Sequence, residues 1–339
     1  MRYSKFPKGL IILLFTSLVI GGGIYYVKHR HLLYQGDFDT VRLALPKTEA
    51  TAMPRIALHK NFFRKHGIKI ELSQQDLSKY SFQQVLNGNA DLAAVEESPI
   101  IHQAFKGTDF VILSIIHTAT RNVKLLAKKS NGITTLTELR GKKIGVVEET
   151  SAEFFLFEIL RHLDMSFNDV QIVYGSNEEL ETKFRSNEIE AVCLREPHIH
   201  LLNHEINPDN SFISHGKDNY LTVVNLVGSK EYVTKNPEIV KRFLNALKDA
   251  ENEILENKER VIGVVADELN LEKDYLYDSC VGAVCQLSLT ERLLMELESE
   301  ANWLINQKGY SDRTMPDFEK YFAIDILESV KPDSTRDLR

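Results

Sequence analysis

Glutamates, arginines and histidines gathered at helix starts are the residues of this chain whose types and spacing could do chemistry. Glu49, Glu96, Glu97, Glu148, Glu149 and Glu196 recur where β-rich runs give way to helices, next to the hydroxyls of Thr48, Thr51, Ser98, Thr150 and Ser151. Arg121 and Arg195 could fork onto an acidic ligand, with a lobe-surface salt bridge as the plain alternative for each. His117, at the exit of an apolar strand, is a hydrogen-bond candidate or a satisfied structural histidine. His200 and His204 have the i, i+4 spacing of two zinc ligands on one helix face, but no third ligand is evident, so a solvated face is expected. Cys193, Cys280 and Cys285 lack any CxxC spacing, which excludes a thiolate zinc site and a disulfide scaffold. Cys193 reads as small core packing, and Cys280 and Cys285 would not face each other on a straight helix. No nucleophile–base pair, Gly-rich phosphate loop or HExxH motif is found, so no cofactor is expected and capture is favoured over catalysis.

The elements that must position these residues alternate in the manner of an α/β fold. Strands are expected at Val41–Leu45, Ile68–Leu72, Asp91–Val95, Phe110–Ile116 and Val123–Ala127. A second set follows at Lys143–Val147, Gln171–Tyr174, Ile189–Leu194 and Leu221–Val227. A helix starting near Thr51 holds Pro54 in its first turn and is closed by Gly67. Ser98 and Ser151 read as N-caps. From Pro237 the pattern is helical to the end, including a segment around Asp274–Cys285, and this third is expected to pack on the first lobe.

The chain has 339 residues and a net charge of −7. Five cations and no anions precede Asp37; without them 36 cations face 48 anions, a net of −12 for the body. A body so acidic is a poor polyphosphate binder, so no nucleic-acid partner is expected. Its length exceeds one typical core, which predicts two lobes. Leu10–Val27 is uncharged and flanked by basic residues on both sides. It reads as a signal peptide or as an uncleaved membrane anchor, the latter favoured because no Ala-x-Ala site is present. Either reading places the body outside the cytoplasm, periplasmic or at the cell surface.

Six segments in order resemble the extracytoplasmic solute-binding proteins of ABC importers for nitrate, sulfonates, taurine and thiamine-precursor pyrimidines. They run from Ala57-Leu-His-Lys-Asn-Phe-Phe-Arg-Lys-His-Gly-Ile through Asn87-Gly-Asn-Ala-Asp-Leu-Ala-Ala-Val with Glu97-Ser98-Pro99. Gly132-Ile…Leu139-Arg-Gly-Lys-Lys-Ile-Gly-Val is the most specific; Ile189-Glu-Ala-Val with Glu196-Pro197, Pro316-Asp-Phe and Lys331-Pro332 complete the set. Asn61 stands where the family often has Gly, Glu96 where a small residue is common, and Arg195 precedes Glu196-Pro197. The resemblance implies a two-lobed, type II periplasmic-binding-protein-like fold. One lobe would be residues 39–121 plus 226–338, the other 122–225, after a signal or anchor segment at 1–36. It implies a monomer that closes on a small-molecule solute and docks on the transmembrane subunit of an ABC permease. Two alternatives stay open: a thiamine-pyrimidine biosynthesis enzyme of the same fold, and a membrane-tethered ligand sensor.

In open α/β sheets ligands lie beyond the carboxyl ends of strands, at helix N-termini. This selects Thr48, Glu49, Thr51, Glu97, Ser98, His117, Thr150, Ser151, Arg195 and Glu196 as candidate ligand contacts. Free N–H groups favour anions, whereas carboxylates closed into a dry cleft cost several kcal/mol each unless paired, to order of magnitude. That many glutamates tilts the expectation toward a nitrogen-bearing organic solute, pyrimidine-like, over an inorganic anion.

Overall fold

The computed structural model describes residues 36–338 apart from 217–219, 308–309 and 311. The segment Leu10–Val27, and with it the choice between signal and anchor, lies outside the described residues. Among the described residues no helix is long and apolar enough to cross a membrane.

Ten strands form two five-stranded sheets among the described residues. The first contains β1 (Asp39–Pro46), β2 (Ile68–Gln75), β3 (Leu92–Glu96), β4 (Phe110–Ala119) and, returning late, β10 (Thr222–Ser229), in the order β2-β1-β3-β10-β4. The second is built from β5 (Val123–Lys128), β6 (Lys143–Val146), β7 (Gln171–Tyr174), β8 (Ala191–Arg195) and β9 (Ser211–Ser214), in the order β7-β6-β8-β5-β9. Each sheet has three parallel strands with the chain's crossover strand, β10 or β5, running antiparallel beside them. Every residue of β3 is buried, as a central strand covered on both faces requires. The chain passes between the sheets twice, between β4 and β5 and between β9 and β10. Residues 225 and 226, where the sequence suggested a lobe division, both lie inside β10, which pairs with β4 from Thr222 to Ser229.

The helices differ from expectation at informative places. The single helix expected from Thr51 to Gly67 is broken into Ala52–His59 and Phe62–Lys65, because Asn61 adopts a left-handed backbone with φ 58°. Asn is among the few residues other than Gly that tolerate this conformation. Ser98 and Ser151 are not N-caps: the first helix starts two residues earlier, after Glu96, and the second one residue earlier, after Thr150. The strand β9 has no counterpart in the sequence reading.

The C-terminal third packs on the first sheet's layer. Helix Pro237–Glu256 buries Val240, Phe243, Leu244 and Leu247 on one face, with the Phe243 ring 4.7 Å from Phe63. Around 274–285 only Lys273–Ser279 is helical. The chain then runs along the outer edge of β4, with Val284 bridging Thr118 and Ser288 bridging Ile115; Phe322 adds a third bridge to Ile112.

Candidate functional site

All four helix-start turns stand at the carboxyl ends of central parallel strands. Thr48–Thr51 follows β1, Glu96–Ser98 ends β3, Glu148–Ser151 follows β6, and Arg195–Pro197 ends β8. The two sheets therefore present two turns each to a common space between the lobes.

Arg195 occupies the centre of that space. Its Nη1 pairs across the lobes with Glu96, while its Nε and Nη2 are buried without a hydrogen-bond partner. Burial works against its charge, but Glu96, Glu49 and Glu97 together hold its pKa above the ordinary arginine value. Glu49 is 6% exposed, and burial raises its pKa with only partial relief from Arg195. Its Oε2 accepts from Thr48 Oγ1 at 3.0 Å. Its Oε1 has no partner of good geometry; the Tyr275 hydroxyl faces the carboxylate but is itself unsatisfied by the same measure. Glu97 takes the Tyr220 hydroxyl at 2.6 Å and the Val223 N–H at 3.0 Å, both from the returning chain. Burial and the nearby Glu96 nevertheless raise its pKa to about 7. His117 is buried, and desolvation with Arg195 close by holds it down to about 3, so the ring is neutral.

Several candidate residues are committed to the fold. Thr51 Oγ1 donates to the Thr48 carbonyl at 2.7 Å and accepts from Arg55 Nε at 2.9 Å. Thr150 Oγ1 donates to the Val147 carbonyl at 2.7 Å. Glu196 pairs with Lys124 and accepts from the His200 N–H at 3.0 Å. Ser98 Oγ and Ser151 Oγ are buried without a partner of good geometry. Arg121 and Glu148 are exposed, and Glu149 is half-buried.

The lobes are in contact around this cluster. Lys79 Nζ donates to the Glu148 carbonyl at 2.9 Å, and Phe154 and Phe157 lie 5.4 and 5.2 Å from Trp303. His200 lies 4.5 Å from Tyr275, ring to ring. The space bounded by Glu96, Thr150, Ser151 and Arg195 is only about 10 Å³. Glu153, Tyr220, Tyr275 and Glu300 also belong to the interior of this junction, and none was singled out from sequence. Glu153 is 1% exposed and accepts from Tyr174 Oη at 2.6 Å. Glu300 comes from the middle of the C-terminal helix Glu291–Gln307, far from the four turns in sequence, and burial raises its pKa well above the carboxylate range.

A larger cavity of about 310 Å³ adjoins the cluster on the first-lobe side, with Glu49 and His117 among its lining residues. His117 Nδ1 lies 3.5 Å from Cys285 Sγ. Burial pushes the Cys285 thiol up to about 12, so this pair is a neutral thiol beside a neutral imidazole, the reverse of an activated nucleophile. Among the described residues no group of three His, Cys, Asp or Glu could hold a metal ion.

Residues 52–261 match the family described as NMT1/THI5 like. The chain belongs to that family. Within it the chain is similar to a protein of Brucella abortus named as a binding protein, 24% identical over 269 residues that cover 75% of this chain and 79% of the relative. Its fold is shared with the alkanesulfonate-binding protein of Xanthomonas axonopodis pv. citri bound to MOPS, at a TM-score of 0.73 and 17% identity over 85% of this chain and 99% of that one. The same periplasmic-binding-protein-like fold also carries the desulfurization enzyme DSZB, with a TM-score of 0.61 and 15% identity over 86% and 98%. Family membership thus settles the two-sheet architecture, and the chemistry has to be argued from the cluster.

Proposed function

We propose that this protein is an extracytoplasmic solute-binding protein that captures a small polar organic solute between its lobes and delivers it to an ABC importer. The observation that carries the reading is Arg195. It bridges two lobes from the second sheet's central turn, is half-buried, and has two buried donor nitrogens unspent. A buried ion pair is costly to assemble and is a natural element to exchange for a ligand when the lobes open and close. Thr48, Glu49, Thr51, Glu97, Ser98, His117, Thr150, Ser151, Arg195 and Glu196 all come from the lobe-facing ends of the two sheets. Among them Arg195, Glu49, Ser98, Ser151 and His117 have hydrogen-bonding capacity to spare.

The charge balance supports a solute with both donors and acceptors. A lone sulfonate or nitrate would have to compete with Glu96 for Arg195, whereas a nitrogen-bearing head with an adjacent acceptor satisfies carboxylate and guanidinium together. The test is calorimetric titration of the Asp37–Arg339 fragment with taurine, methanesulfonate, nitrate and an aminopyrimidine. Binding of the aminopyrimidine in preference to the simple anions is expected; selective binding of methanesulfonate would reverse the ligand class while keeping the role. Cys285, a buried thiol whose pKa burial raises, lends the enzyme reading no activated nucleophile.

A further inference from the structure

The cavity of about 310 Å³ belongs to the first lobe alone. It is roughly twice the ~150 Å³ engineered cavity that holds benzene. Val261, Val265 and Leu276 make its walls and are buried. At one side it reaches solvent past Leu255, which is 73% exposed, Val284, which is 50% exposed, and the exposed Lys258. At the other its lining includes the two buried polar side chains of Glu49 and His117, at 6% and 4% exposure. An apolar chamber with one polar end and an open mouth has the layout of a small-molecule site.

The polar end has a definite hydrogen-bonding character. Cys285 keeps its proton and can donate it to His117 Nδ1, which leaves Nε2 carrying the ring proton as a donor without a partner. Glu49 Oε1 is an acceptor without a partner of good geometry. One donor and one acceptor therefore stand at the end of an apolar channel. Burial works against charge on both Glu49 and His117, so an uncharged head avoids the desolvation cost that an ammonium or a carboxylate would bring.

We infer that this chamber is a second binding site, for an apolar molecule of about two fused rings carrying an uncharged head with an N–H beside a carbonyl. The head is the primary-amide or lactam type: its N–H meets Glu49 Oε1 and its carbonyl accepts from His117 Nε2. The ring system fills the space between Val261, Val265 and Leu276. Glu49 and His117 also stand among the interlobe candidates, but Arg195 and the rest of the second lobe take no part in the lining, so ring compounds with no group for Arg195 test this chamber separately from the interlobe solute.

The test is calorimetric titration of the full-length protein with 2-naphthamide, naphthalene and 2-naphthoate at pH 7.5. The expected result is binding of 2-naphthamide at least tenfold tighter than either comparison compound. Ala283→Trp, which fills the chamber from its wall, weakens 2-naphthamide at least tenfold, and Cys280→Phe does the same should the first variant not fold. His117→Phe keeps the apolar volume and brings naphthamide and naphthalene to within about threefold of each other. No binding of 2-naphthamide, equal binding of naphthalene by the wild type, or unchanged affinity in a folded chamber-filling variant would each overturn the inference.

Discussion

The space between the lobes and the chamber beside it are neighbours that share Glu49, yet they solve opposite problems. The first is nearly filled, about 10 Å³ where the charged pair of Glu96 and Arg195 meets Thr150, Ser151 and the aliphatic Leu77, Val147 and Leu194. The second is apolar and roomy, about 310 Å³ walled by aliphatic side chains. Charge has been concentrated where the lobes must separate and withdrawn where they need not. An interface of charged groups can be rewetted on opening, since water competes well for ions, whereas an apolar wall holds its shape through the hydrophobic effect. The difference teaches that closure and shape are assigned to different parts of this molecule.

The comparison breaks most sharply at Arg195. Arg195→Met leaves Glu96 and Glu49 buried without their cation, and a loss of about 3–5 kcal/mol in unfolding free energy is expected from urea titration. Adding Glu96→Gln should recover more than half of it; a double variant no more stable than the single one would show that the pair is not the cause. Removing the aromatic contact on the other flank comes next. Trp303 is 4% exposed against Phe154 and Phe157, so Trp303→Ala should cost about 3 kcal/mol.

Titration sharpens the same contrast through two opposing slopes. Glu97 has a folded pKa of about 7, above the usual carboxylate value, so between about pH 4.5 and 7 the folded state holds more protons and stability falls as pH rises. His117 is held down to about 3, below its unfolded value near 6.5, so its stabilising contribution is lost as pH falls from about 6.5 toward 3. Denaturant midpoints measured from pH 4.5 to 7 should therefore gain an upward slope with pH in Glu97→Gln and a downward one in His117→Asn. Identical slopes in both variants would refute the assignment. The smallest effect belongs to the chamber: Cys280→Leu adds volume to a wall that has room for it and should stabilise by about 0.5–1 kcal/mol, visible in a melting curve.

The alternation of strands and helices was readable because parallel strands and amphipathic helices have distinct periods. The family blocks added the two-lobed plan, and nine of the ten strands among the described residues stand within a few residues of where the pattern puts them, as at Phe110–Ala119 and Ala191–Arg195. β9 was missed because four residues, Ser211–Ser214, show no lasting alternation. The N-caps moved by two residues and by one because Ser98 and Ser151 resemble caps in composition while the backbone turns at Glu96 and Thr150. Within the site, the helix-tip rule found Arg195, Glu49 and Glu97. It could not find Tyr220, Tyr275 or Glu300, which reach the junction from the returning chain and the C-terminal helices. Their arrival depends on tertiary packing, and no local spacing records it. The chamber was invisible for the same reason, its walls being drawn from segments more than 200 residues apart along the chain at Glu49 and Cys285.

The strip of chain that runs from Val284 to Ser288 along β4 bears on more than the chamber. It occupies backbone groups of an apolar ten-residue strand that would otherwise offer itself to another polypeptide. The opposite border, β2, is defended by Lys69 and Glu71, and the second sheet ends on the four-residue strands β7 and β9. A chain cut short before residue 280 would keep all ten of these strands and lose its guard against amyloid-like self-association.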